Sequence, residues 1–250
     1  MQPRLAIPAD DALLTSILMH PEVRRWVAHD GAPPFDPTKY TAHAKSFAVL
    51  VDGGAWLAPC LERRAYGVHT ALLPELRGAR ALAAGAAALE FAFLNTDAEQ
   101  LWTMVPENNP QAMWFALRSG FRVHSHRKGV WLSGGKRWAM TYLRLDVDSW
   151  ILASASMRRV GQSFHAFLER NGQPAEHAED ETHDRYVGFA YTLCHLGQVD
   201  KAQRVYNRYA RACGYEPFEI VSRAPLRIDI HSHLLQLDAD GVRILENAHA

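Results

Sequence analysis

The sequence predicts a mixed α/β domain with a largely sequential sheet, followed by a smaller α+β unit. Three observations predict it. Strand-like apolar runs alternate with helix-type segments as far as Val147, the pattern of a layered α/β domain. Near Asp148 that alternation gives way to amphipathic helical spacing. After Glu219 a period-two alternation returns, as in a terminal β-meander. The expected domains are therefore residues 1–147 and 148–250.

The elements follow in order. Asp10 and Asp11 suit a helix start, and Leu13, Leu14, Ile17 and Leu18 recur at helical spacing until His20-Pro21 stops the helix. The segment GAPPFDP, Gly31 to Pro37, reads as a loop. Ser46 to Val51 and Ala55 to Cys60 read as a hairpin around Asp52-Gly53-Gly54, with Pro59 marking an end or edge. Tyr66 to Leu73 is a further strand. Arg80 to Leu94 is almost all helix formers, led by alanine. Leu101 to Val105 is the next strand. Asn109 is an N-cap, Pro110 a first helical residue, and Gly120 a helix end. Strands near Phe121 to Leu132 and Arg137 to Leu145 are joined at Gly134-Gly135. Beyond Asp148, Trp150 to Glu169 reads as one amphipathic helix and Asn171 to Thr182 as an acidic connector. Helices at His183 to Leu196 and Asp200 to Cys213 follow. The meander runs from Leu226 to Ile244, with its last turn at Asp240-Gly241.

Bulk properties narrow the function classes. The chain has 27 Lys plus Arg and 27 Asp plus Glu, a formal net charge of zero. A protein held on nucleic acid by bulk attraction to phosphate is normally basic, so the balance argues against one. The three cysteines, Cys60, Cys194 and Cys213, match no zinc spacing and read as reduced, mostly buried thiols. MQPRLAIPADDALL is not a signal peptide, and Ala81 to Leu89 is too short to span a bilayer. The expectation is a soluble, cytoplasmic protein that does not engage a membrane.

Two segments carry chemistry. In Leu72-Leu73-Pro74-Glu75-Leu76-Arg77-Gly78-Ala79-Arg80-Ala81-Leu82 a strand runs through Arg-Gly directly into a helix. Loop N–H groups and a helix N-terminus make a seat for a pyrophosphate, and Arg77 and Arg80 can add charge-assisted bonds. The second segment, Asn108-Asn109-Pro110-Gln111-Ala112 on to Gly120-Phe121, is a capped helix that ends at a glycine before a strand.

At these residues the chain resembles the GNAT acetyltransferase superfamily. The strand–Arg-Gly–helix segment looks like the family's acetyl-CoA loop. The spacing of Asn109, Ala112, Gly120 and Phe121 is similar to its second CoA-side helix. The resemblance covers residues 1–147 and implies a mixed central sheet with flanking helices. It implies that a CoA thioester, acetyl-CoA first, is bound by Leu72, Leu73, Arg77, Gly78, Ala79, Arg80, Ala81, Asn109 and Ala112. It also implies that two adjacent strands splay, that the backbone at Val68 to Leu73 pairs with pantetheine, and that an amine attacks the thioester directly. The chain departs from the family pattern in placing Arg80 and Leu82 where a glycine and a small residue are usual. It also has Ala116 where many members have a tyrosine that protonates the leaving thiolate.

Candidate bases are His69, Glu107 and Glu75. His69 reads as a base or as a histidine bonded at the sheet surface. Glu107 reads as a base just past the fifth strand or as a solvated carboxylate; Glu75 reads as a loop charge. The pairs His124/His126 and His231/His233 lack a third ligand, so no metal is expected. Tyr186, Tyr191, Tyr206, Tyr209 and Tyr215 suit either a core or a protein interface. Two functions stay open. One is acyl transfer from CoA to an amine. The other is an inert GNAT fold used for docking, because the layout loosely resembles bacteriophage virion proteins. In that case residues 148–250 would bind a virion component or another copy, and the protein would sit in the host cytoplasm or the virion.

Overall fold

The computed structural model describes residues 2–43, 45–172, 177, 179–217, 219–223, 226–230, 233–238 and 241–247, and beyond 217 the backbone course only. His231, Asp240 and part of the Asn171 to Thr182 connector lie outside the described residues. The chain divides into two compact units, Met1–Val147 and Asp148–Ala250.

The first unit opens with β1 (Arg4–Leu5), α1 (Asp11–Met19), α2 (Pro21–Val27) and α3 (Thr38–Thr41). Asp10 anchors the start: its carboxylate accepts from Arg4 Nη1 and Nη2 at 2.6 and 2.7 Å and from the Ile7 amide at 2.9 Å. These donors hold its pKa down at about 2. His20-Pro21 does end the first helix, but Pro21 also begins α2. His20 Nδ1 accepts from the Glu22 amide at 3.3 Å, and proline is well tolerated at a first helical position.

Next come β2 (Phe47–Val51), β3 (Gly54–Ala58), β4 (Cys60–Glu62), β5 (Ala65–Gly67) and β6 (His69–Leu72). β2 and β3 pair around Asp52-Gly53, where φ is 40° and 82°. Two positive φ values match the hairpin's right-handed twist. Every residue of both strands is buried, because helices cover both faces of this sheet. On one side Leu14, Ile17, Leu18 and Val23 pack on Ala48, Leu50, Leu57 and Ala71. The other is met by α4 (Ala79–Asn95), which contacts β2. A strand buried on both faces reads as a continuous apolar run.

The unit closes with β7 (Gln100–Pro106), α5 (Pro110–Arg118), β8 (Arg122–Ser133) and β9 (Lys136–Asp146). The strands form two sheets, β1-β2-β3-β6 and β4-β5-β7-β9-β8. Tyr66 to Leu73 is therefore not one strand: β5 belongs to the second sheet and β6 to the first. This mixed sheet with flanking helices is the fold class read from the sequence.

α6 (Val147–Ala153) begins at the last residue of the first unit, and the second holds the rest of it with α7 (Ala155–Arg170), α8 (Glu181–His195) and α9 (Val199–Cys213). The helix expected over Trp150 to Glu169 is two, because the Ser154 side chain accepts from the Met157 amide at 3.3 Å and starts a new helix. α7 and α8 cross in backbone contact. A Cβ on Gly161 would lie 1.9 Å from Asp184 O, and one on Gly188 2.0 Å from Met157 O. Tyr186 and Tyr209 stack at 4.0 Å, and with Tyr206 they are buried, so these three tyrosines are core. The chain ends in an antiparallel meander of β10 (Glu219–Arg223), β11 (Leu226–Ile230), β12 (His233–Asp238) and β13 (Gly241–Asn247). Among the described residues no helix is long and apolar enough to cross a membrane, and no cluster of metal ligands forms.

Candidate active site

The cleft of the first unit begins where two strands separate. β5 runs parallel to β7 from Ala65↔Gln100 to Gly67↔Trp102. The Val68 amide donates to Trp102 O at 2.6 Å, and Thr103 Oγ1 donates to Val68 O at 3.0 Å. Beyond Val68 the partners diverge. β6 turns onto β3, pairing His69↔Leu57 through Leu72↔Gly54. β7 continues along β9 to Pro106↔Met140. β6 is the edge of its sheet, so its outer edge offers backbone donors and acceptors to the gap.

Two cavities with a shared wall lie at the gap, a wider one of about 730 Å³, here the mouth, and a narrower, more enclosed one of about 130 Å³, here the inner end. Trp26, Val27, Thr70, Asn109, Ala112 and Phe115 line both. α5 forms one wall, its start set by Asn109, whose Oδ1 accepts from the Ala112 amide at 3.0 Å. Phe115 reaches the cleft over Gly85 of α4, where a Cβ would sit 2.7 Å from Phe115 Cζ.

The mouth carries the charge. Gly78, at φ 74°, turns the chain into α4, and no side chain caps that helix. Its first-turn N–H groups and the positive end of its dipole suit an anion. Gly78, Ala81, Leu72 and Arg77 line the mouth together with Glu22 and Arg25 of α2. Arg25 Nη2 lies 2.6 Å and Arg77 Nη2 3.6 Å from Glu22 Oε2. The inner end is apolar. His69 lines it, and burial holds its pKa below the ordinary 6.5 because a low-dielectric site disfavours the imidazolium.

Seven of the residues named from the sequence thus share one cleft: His69, Leu72, Arg77, Gly78, Ala81, Asn109 and Ala112. Four do not line it. Leu73 packs against the core of the first sheet. Ala79 is exposed, and Arg80 is exposed with Nη1 donating to Glu75 O at 3.2 Å. Glu107 is exposed as well: β7 keeps its register with β9 to Pro106, which carries Glu107 into the turn beyond the sheet, its amide on Ala139 O. Leu82 also lies outside the lining, so neither departure in the loop crowds the mouth. Ala116 lines the inner end, and among the described residues no tyrosine or cysteine lines either cavity. Of the histidine pairs, His124 sits at a register shift of β8 with its ring on Trp102, and His126 Nδ1 lies 2.9 Å from Thr141 Oγ1.

Several of the residues that sequence reasoning missed come from α2. Glu22, Arg25, Trp26 and Val27 all reach the cleft, and the one signal for them was Pro21 as a helix start rather than only a stop. Trp131 of β8 and Met140 of β9 complete the inner wall.

Comparison with known proteins bears on this geometry. No protein-family model matches the sequence, and no curated protein matches it. Solved structures do. A spermidine N-acetyltransferase from Vibrio cholerae, in complex with CoA and spermine, is 13% identical with a TM-score of 0.52, covering 60% of this chain and 97% of that one. A chimera of that enzyme with hSSAT is 14% identical, TM-score 0.51, covering 61% and 99%. The first unit has the GNAT fold. In that fold's terms, the parting of β5–β6 from β7 is the strand splay.

Proposed function

We propose that the cleft binds an acyl-CoA thioester, acetyl-CoA in the simplest case, and passes its acyl group to an amine. One observation carries the reading. The strands part at Val68 so that a single cleft has an uncapped helix N-terminus at its mouth and, at its inner end, an imidazole whose pKa burial lowers. The CoA and spermine named for one neighbour of this fold lend support.

The residues divide the work by position. The α4 N-terminus, Gly78 and Arg77 receive the pyrophosphate. The open edge of β6 pairs with the pantetheine arm and supplies a backbone N–H to the thioester oxygen, whose developing charge such a donor stabilises. His69 takes a proton from the attacking amine. The C–N bond forms, the C–S bond breaks, and the thiolate leaves without a phenol donor, since Ala116 has none. The cleft holds the reactants in line, which is the larger part of such catalysis.

Ala116 also favours a second reading, an inert GNAT fold kept for docking. Titration calorimetry with acetyl-CoA separates the two. The acyltransferase reading expects saturable binding and a loss of about 1.5–3 kcal/mol in Arg77→Ala, the range for a hydrogen bond to a charged group. A full-length protein that does not bind at millimolar acetyl-CoA would overturn it.

A further inference from the structure

The inner end of the cleft also selects its acceptor. We propose, resting on the acyl-transfer reading, that the amine acceptor is a small monoamine with an apolar body.

Size comes first. The inner cavity is about 130 Å³. A cavity of roughly 150 Å³ takes a benzene molecule, so one short apolar group fits here beside the reacting centre.

Charge decides the class. The walls of the inner end are Trp26, Val27, Phe121, Trp131 and Met140, with His69, Thr70, Thr103 and Asn109 as its polar side chains. Two of those are already committed: Thr103 Oγ1 to Val68 O and Asn109 Oδ1 to the Ala112 amide. Among the described residues no carboxylate lines the inner end, and Glu22 alone lines the mouth, held by Arg25 at 2.6 Å and Arg77 at 3.6 Å. The reacting amine must shed its proton to attack, so the apolar enclosure does not oppose it. A second ammonium on the same molecule keeps its charge, near pKa ~10.4 for an alkylamine. It would have to enter with no anion to meet it, and an uncompensated buried charge is strongly disfavoured.

The walls are also held in place. Asp30, just past α2, accepts from the Gly134 and Gly135 amides at 3.2 and 2.8 Å, and its own amide donates to Leu132 O at 3.0 Å. The His29 ring meets Trp131 edge-on at 5.9 Å. This clip joins the loop after α2 to the β8–β9 turn, and so ties together the segments that carry Trp26 and Trp131.

A matched pair of acceptors tests the proposal on the full chain: pentylamine and cadaverine, which differ by one terminal ammonium. With acetyl-CoA as donor, acetylated product is quantified by mass spectrometry, and acetyl-CoA affinity is measured in parallel by calorimetry. The expected result is a kcat/KM for pentylamine at least tenfold above that for cadaverine. Trp131→Glu, which adds a carboxylate to the inner wall away from the mouth, should narrow or invert that ratio at unchanged acetyl-CoA affinity. Trp131→Gln, uncharged, should keep the monoamine preference. Cadaverine turned over as well as pentylamine overturns the acceptor class and leaves acyl transfer standing. A Trp131→Glu variant that folds and binds acetyl-CoA with the original ratio does the same. Acetyl-CoA binding with neither amine acetylated also overturns the acceptor class, and it removes support from acyl transfer as well. Absence of acetyl-CoA binding overturns the underlying reading and this one with it.

Discussion

Glu22 lies between two arginines at the mouth of the cleft, 2.6 Å from Arg25 and 3.6 Å from Arg77. If the mouth receives a pyrophosphate as proposed, that group would compete with the carboxylate for the same guanidinium groups. Glu22→Gln should therefore tighten acetyl-CoA binding severalfold and steepen its salt dependence, because the freed arginines then answer only to the ligand. Titration calorimetry at two salt concentrations checks this; weaker binding would show that Glu22 positions the arginines usefully. On the acyl-transfer reading proposed above, with His69 as the base, this histidine sets the pH behaviour. Its pKa lies below the ordinary 6.5 because burial disfavours the cation. The base form thus persists as pH falls through 6.5, and the acid limb of kcat/KM should lie below that value. The same shift has a stability sign. The unfolded chain binds the proton more readily, so the contribution is fully present above 6.5 and erodes as pH falls below it. His69→Ala should lower the rate by about 10²–10⁴ and abolish that acid limb. An unchanged limb in the variant would assign it to another group.

Secondary-structure elements differ in how openly they announce themselves. α5 is legible from sequence because its cap and stop are local: Asn109 and Pro110 at one end, Gly120 at φ 92° at the other. α2 is less legible, since the same His20-Pro21 pair can close one helix and open another. The α7–α8 crossing is not legible at all. Gly161 and Gly188 look like weak helix positions, yet each faces the backbone of the other helix, 1.9 and 2.0 Å from where a Cβ would be. A methyl group there meets backbone atoms that no rotamer change can move. Gly161→Ala should therefore cost about 3 kcal/mol or more, at the upper end of overpacking, where most exposed helix positions would gain from alanine. Chemical denaturation of the full chain measures it; a variant as stable as wild type would mean that the helices separate without penalty.

At the scale of the whole molecule, the chain falls into units meeting at Val147 and Asp148. All the strands of both GNAT-fold sheets precede that point, as do all the residues lining the cleft. A chain ending at Val147 should then fold and bind acetyl-CoA with the affinity of the full protein. Circular dichroism and calorimetry on the truncated protein check this, and an insoluble product or a tenfold loss of affinity would show that residues 148–250 belong to the same cooperative unit. Three of the tyrosines that suited an interface, Tyr186, Tyr206 and Tyr209, are buried in the second unit. Any surface by which that unit binds a partner must be sought elsewhere on it.

The sequence by itself determined the α/β class, the order of most elements, and the local pieces of the site. Hairpin glycines, the Asn109 cap and the Arg77-Gly78 turn are short-range devices whose physics is complete within a few residues. Tertiary structure alone decided that Tyr66 to Leu73 divides between two sheets, because the pairing of Val68 with Trp102 and then of His69 with Leu57 joins segments far apart in the chain. It also decided that α2 lines the cleft, that Arg80 turns to Glu75 O, and that Glu107 stays in the turn beyond β7. Side-chain direction depends on register and on what packs opposite, and neither is encoded in local spacing.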